Sequence, residues 1–177
     1  MATTTWVLDP THSELQFKVK HLMITTVTGS LKIFSASVTS DGDDFENGEI
    51  SFEAETASID TGNTDRDNHL KSADFFDADQ FPAISFKSSS FTKEDDDDYV
   101  IKGDLTVKGV TKPVSLKAEF GGIATDPWGN TKAGFTLSGK INRTDFGLSW
   151  NAALETGGVM VSEEVKIAGE LQFVKQA

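Results

Sequence analysis

The chain has no cysteine, and among its 177 residues it has one tyrosine, three tryptophans, three histidines, four prolines and two arginines. Without cysteine there is no disulfide, no thiolate metal site and no cysteine nucleophile. That fits a reducing compartment, and the length suffices to bury a core without covalent staples. The histidines His12, His21 and His69 form no HxH or HxxxH pair, so no single element offers two imidazole ligands, and no metal is expected. Gly-x-Ser-x-Gly is absent, and Ser13, Ser30 and Ser72 have no activating context. A sugar cleft would want more tryptophan and tyrosine. No apolar run is long enough to span a bilayer. The start, Met-Ala-Thr-Thr-Thr-Trp, has neither a basic region nor an apolar one. The expectation is a cytoplasmic protein that does not span the membrane.

Positive charge is also scarce. The net charge is −12 and the pI about 4.5, which repels phosphate backbones and, taken as a whole, anionic membrane surfaces. Nucleic acid is therefore not an expected partner. The acidic runs 41–44 and 94–98 lack the spaced ligands and final glutamate of a calcium loop and read as solvated turns.

What is abundant is period-two alternation. Tyr99, Ile101, Gly103, Leu105 and Val107 share one parity against Val100, Lys102, Asp104, Thr106 and Lys108. The same pattern runs through Leu15–His21, Ile50–Ala54, Val114–Phe120, Ala133–Ile141 and Val165–Phe173. Such strands have one apolar and one wet face. About eight are separated by turn signals such as Asp41-Gly42, Asp95–Asp98, Lys108-Gly109, Trp128-Gly129-Asn130 and Gly157-Gly158. The expected fold is all-β: one domain over residues 1–177, a closed or nearly closed antiparallel eight-stranded barrel, which removes exposed strand edges. Between Ser58 and Pro82 the alternation stops. A short helical insert is expected around residues 62–78, with Thr64 as N-cap of one piece, 73–77 as another, and Pro82 starting the next strand. This insert is the candidate lid over one barrel end.

Small residues punctuate the inward parity at Ala54, Gly103, Ala118, Gly139 and Gly169. Two readings stand: they leave room for a ligand along the axis, or they are bends and bulges of curled strands. An apolar cavity would take an acyl or isoprenoid chain, at roughly 0.8 kcal/mol per buried methylene. The arginines admit two readings as well. Arg66 can clamp Asp65 or Asp67 and Arg143 can clamp Asp145, or one of them meets an anionic head group at the barrel mouth.

Several segments carry a family resemblance: Trp6-Val7-Leu8-Asp9-Pro10-Thr11-His12-Ser13, Phe17–Leu22, Thr61-Gly62, Arg66–Asp77, Phe81-Pro82, Gly103–Val114 and Asn142-Arg143-Thr144-Asp145-Phe146-Gly147. In this order they span nearly the whole chain, which resembles the YceI-like family of polyisoprenoid-binding proteins. The resemblance implies a lipocalin-like barrel, a lipid-like ligand such as an isoprenoid quinone or fatty amide inside it, and frequently a homodimer. Many relatives are exported. The inward residues Phe17, Val19, Ile50, Phe52, Phe86, Leu105, Leu116, Phe135, Leu137 and Ile167 are the expected ligand contacts, with His21, Arg66 and Trp128 as polar or rim contacts. No catalytic residue and no cofactor is expected. The leading reading is a carrier or store of a long-chain lipid. Beside it stand a filled barrel acting as a protein-interaction or stress-response module and, less favoured, an enzyme acting on an isoprenoid lipid with His21 or His69 as base.

Overall fold

A computed structural model describes residues 3–22, 24–148 and 161–176; the turn expected at Gly157-Gly158 lies outside them. In chain order the strands are β1 (Thr3–Leu8), β2 (Glu14–His21), β3 (Thr25–Leu31), β4 (Phe34–Asp41), β5 (Asp44–Glu55), β6 (Ile59–Asp60), β7 (Ala83–Lys93), β8 (Asp98–Val107), β9 (Val110–Thr125), β10 (Thr131–Asn142) and β11 (Val161–Lys175). The single α-helix among the described residues, α1 (Thr64–Lys71), follows β6.

All pairings are antiparallel. Eight strands close a ring in the order β1-β4-β5-β7-β8-β9-β10-β11, and β11 returns to β1. The closed eight-stranded barrel expected from the alternation is therefore the fold. The eleven segments arise because long strands are broken. β1 and β2 both pair with β11, at Leu8↔Phe173 and Glu14↔Glu170, so they are one strand interrupted at Pro10–His12. β2, β3 and β6 prolong the wall beyond β1 and β4.

The interruption is built locally. The Asp9 carboxylate accepts from the Thr11 amide at 3.0 Å and the Thr11 hydroxyl at 2.6 Å, and Pro10, with φ already fixed, enters the single turn. Asp9 also meets His12 Nδ1 at 2.8 Å and Lys132 Nζ of β10 at 3.0 Å, which ties the kink to the far side of β11.

The two halves of the barrel differ. Toward the β4–β5 and β7–β8 turns the interior is filled by Trp6, Phe45, Phe91, Tyr99, Phe120, Phe135 and Phe173. Phe45 lies 5.2 Å from Trp6 and 5.0 Å, edge-on, from Phe135. Edge-to-face pairs of this kind contribute about 0.5–1.5 kcal/mol beyond simple burial. The buried Trp6 indole donates to Ser40 Oγ at 2.8 Å, so its one polar atom is satisfied. The opposite half is lined mainly by aliphatic side chains and is not filled.

The insert departs from expectation in two details. Asn63, not Thr64, is the N-cap of α1, its side chain accepting from the Arg66 amide at 3.0 Å. Residues 73–76 form turns, because the Phe76 and Ala78 amides bond back to the Leu70 and Lys71 carbonyls and close the chain over the helix end.

Candidate functional site

The unfilled half encloses a cavity in which the centre of a water-sized sphere can range over about 180 Å³. Its walls come from nearly every strand: Leu15, Phe17 and Val19 of β2, Phe52 of β5, Ile84 and Phe86 of β7, Leu105 and Val107 of β8, Leu116 of β9, Leu137 and Ile141 of β10, and Val161, Val165 and Ile167 of β11. Leu70, Phe75 and Phe76 of the insert complete one side, so the insert expected to frame an end contributes directly to the lining. Among the described lining residues, only Gln16 and Arg143 have polar side-chain atoms.

Of the residues expected to meet a ligand, eight line this cavity: Phe17, Val19, Phe52, Phe86, Leu105, Leu116, Leu137 and Ile167. Five do not. Ile50 and Phe135 face inward but belong to the aromatic half, around a second space of only about 10 Å³. Trp128 is 83% exposed on the β9–β10 turn, which the pairing of Ala133 with Phe173 places at the aromatic end. His21 ends β2 opposite Val161 and is half-buried outside the lining. Arg66 is exposed on α1. It donates through Nε to Thr61 Oγ1 at 2.7 Å and through Nη2 to the Thr61 carbonyl at 2.8 Å. Its expected partners Asp65 and Asp67 are not the acceptors; Asp67 itself accepts from the Thr61 amide at 2.9 Å.

None of the five small inward residues lines the cavity itself, and the two readings divide among them. Gly103 sits where a Cβ would fall 2.3 Å from the Lys87 carbonyl, at the register shift between Ser88 and Ser90. It serves a bulge, as the bend reading holds. Gly139, another of the five, does make room, as does Gly29. A Cβ on Gly29 would lie 2.3 Å from the Phe17 ring, and one on Gly139 would lie 2.4 Å from Leu116 Cδ2. Each glycine faces its large neighbour across a strand pair. The large side chain lies against the bare backbone and the lumen stays open.

Arg143 was not among the expected contacts, yet it is the one charged residue among the described residues of the lining and is only 4% exposed. It follows β10 in a short 3-10 turn, 143–146, capped by Asn142. Its guanidinium donates to the carbonyls of Ser162 at 2.8 Å, Leu148 at 2.5 Å and Val161 at 3.2 Å, rather than to Asp145. Burial pushes its pKa down, with Glu163 pulling the other way. Through these backbone contacts Arg143 ties the end of β10 to the start of β11 at the cavity wall.

Elsewhere polar groups are spent on structure. His12 is held by Asp9. His69 Nε2 lies 3.0 Å from Asp74, and its ring stacks edge-on against Phe75 at 5.1 Å. Among the described residues no three His, Asp or Glu side chains converge as a metal site, and no helix is long and apolar enough to cross a membrane.

Comparison with known proteins sets this geometry in context. The YceI-like domain matches residues 6–173. A UPF0312 protein of Staphylococcus aureus (strain N315) is 40% identical over 171 residues, 96% of this chain and 97% of that one. The crystal structure of the Campylobacter jejuni YCEI protein superimposes with a TM-score of 0.76 at 33% identity, covering 90% of this chain and 91% of that one. Burkholderia cenocepacia BcnA gives 0.79 at 25% identity over 93% and 98%. A polyisoprenoid binding domain from Saccharophagus degradans, implicated in plant cell wall breakdown, gives 0.71 over 97% and 98%; at 15% identity that likeness is one of fold.

Proposed function

The chain belongs to the YceI-like family, and from that premise and the cavity we propose that it holds one long apolar chain, an isoprenoid or fatty acyl lipid, for carriage, storage or sequestration without chemistry. The observation that carries the reading is the lining: a barrel half walled by aliphatic and aromatic side chains, in which the one charge among the described lining residues is tied to backbone carbonyls. Burial of methylenes is the chief source of affinity such a wall offers, so selection is by length and width rather than by head group. The fold neighbour described as polyisoprenoid-binding supports the same class of ligand.

The filled-barrel alternative fits only the aromatic half. A catalytic reading would need a base facing the lumen. His21 lies outside the lining, and His69 is engaged with Asp74 and Phe75. The test is organic extraction of the purified chain followed by mass spectrometry, with titration by a long-chain quinone and a fatty amide. The expected result is a single lipid class recovered in proportion to protein, or saturable uptake of one molecule. Neither lipid nor uptake would overturn the reading.

A further inference from the structure

Toward the aromatic half, the cavity gives way to the second space of about 10 Å³, bordered by Ile50, Ala118, Phe135 and Leu171 among others. Among the described residues only Leu137 of β10 borders both spaces. Its side chain is the partition between them. Leu137 shares the inward parity of Ala133 and Phe135, which are buried outright. It nevertheless keeps partial exposure, as a side chain beside open space does.

The neighbours of Leu137 leave it alone in that place. Directly across the two strand pairs it faces Ala118 of β9 and Gly169 of β11. Ala118 offers a methyl and Gly169 bare backbone, where a Cβ would fall 3.6 Å from Leu137 Cβ. Neither reaches far enough to bar the way in its stead. Phe17 and Leu116 differ, because each leans on a glycine and lies back against the wall. The step past Leu137 is short. Phe135 lies 6.2 Å from Phe91 and 6.1 Å from Phe173, both edge-on, so interlocked rings stand beyond the second space. An apolar chain entering tail first gains affinity with each methylene it buries until its end meets Leu137. Further methylenes stay outside the apolar wall and add nothing, and a chain that pushed on would displace a packed side chain.

Resting on the lipid-carrier reading, we propose that Leu137 is the specificity-determining residue of the cavity, a length stop that sets the longest apolar chain the barrel buries. An apolar wall discriminates weakly between chains of similar width. A single obstacle on the path of the tail converts that weak preference into a ceiling on length.

The test is displacement of a fluorescent fatty amide from the full chain by a homologous series of saturated primary fatty amides. For the unaltered chain, affinity should rise about fourfold per added methylene up to a ceiling and then level off. Leu137→Ala joins the two spaces, so its ceiling should move up by about three methylenes and stop there, at the rings. Leu137→Phe should move it down by about one or two. A general loss of stability does not shift a ceiling in opposite directions. Circular dichroism establishes that each variant is folded, and the downward shift of Leu137→Phe decides alone if the alanine variant is not. Phe135→Leu lies beyond the stop. It should leave the ceiling in place by itself and raise it only together with Leu137→Ala, a coupling that two independent wall positions would not show. A ceiling that no folded Leu137 variant moves, one that Phe135→Leu raises alone, or affinity that climbs through the whole series overturns the length stop and leaves the carrier reading standing. Displacement by none of the amides, and by no long-chain quinone, overturns the carrier reading and the length stop with it.

Discussion

At Gly29 the missing side chain matters more than most side chains present. Adding a methyl there displaces the Phe17 ring, the far end of a side chain that can swing, and the open space it can swing into is the cavity. Gly29→Ala should therefore leave the melting temperature nearly unchanged but lower lipid affinity about tenfold, the equivalent of one or two methylenes displaced; calorimetry and ligand titration separate the two. Gly103→Ala should do the reverse, since its methyl meets the Lys87 carbonyl, which is backbone and cannot turn away. A loss of about 1–3 kcal/mol in denaturant unfolding is expected. Arg143 supplies a third contrast. Arg143→Met orphans buried carbonyls, costs about 2–4 kcal/mol and lowers the melting temperature by roughly 4–16 °C. Arg143→Lys should not restore it, because one ammonium cannot reach carbonyls that a planar fork spans. A shift of a degree or so for Arg143→Met would show that the fan of hydrogen bonds is dispensable.

At the scale of the element, the kink between β1 and β2 acts as an acid-sensitive latch. Hydrogen bonds from Thr11, His12 and Lys132 hold the Asp9 carboxyl well below its ordinary value of 3.8. A carboxylate whose folded pKa is depressed stabilises the fold above that ordinary value and stops doing so as pH falls through the folded one. The chain should lose stability from about pH 4 downward, and Asp9→Asn should be less stable at neutral pH yet show a flatter acid limb. Equilibrium unfolding across that range reads both, and an acid limb unchanged in the variant would put the latch elsewhere. The elements also show what the sequence could and could not display. Alternation named the inward parity of β8, β9, β10 and β11 correctly, because period two reports which face of a strand is dry. It carries no information about depth along the barrel axis, which depends on cross-strand register. That is why Ile50 and Phe135, inward by parity, fall in the aromatic half. The signal that marks depth is aromatic crowding: Phe45, Phe91, Phe120, Phe135 and Phe173 converge, while the cavity half draws mostly on Leu, Ile and Val. Leu70, Phe75, Phe76 and Arg143 escaped strand-based selection because they lie outside the strands, in segments that no alternation marks.

For the whole molecule, the barrel reads as a cup with a solid aromatic base and a hollow apolar upper half, its wall prolonged by β2, β3 and β6 and partly framed by the insert. The ring closure explains how a chain without cysteine keeps eight long strands from exposing edges. The division into base and cup explains how one fold supplies both a stable core and room for a ligand. Its most direct test is an electron-density map of the chain crystallised after saturation with a long-chain quinone or fatty amide. One continuous tube of density should run between Phe17, Phe52, Leu116 and Ile167 and stop short of Phe135. A barrel interior closed by its own side chains, with the same lipid absent or bound only on the outer surface, would contradict it.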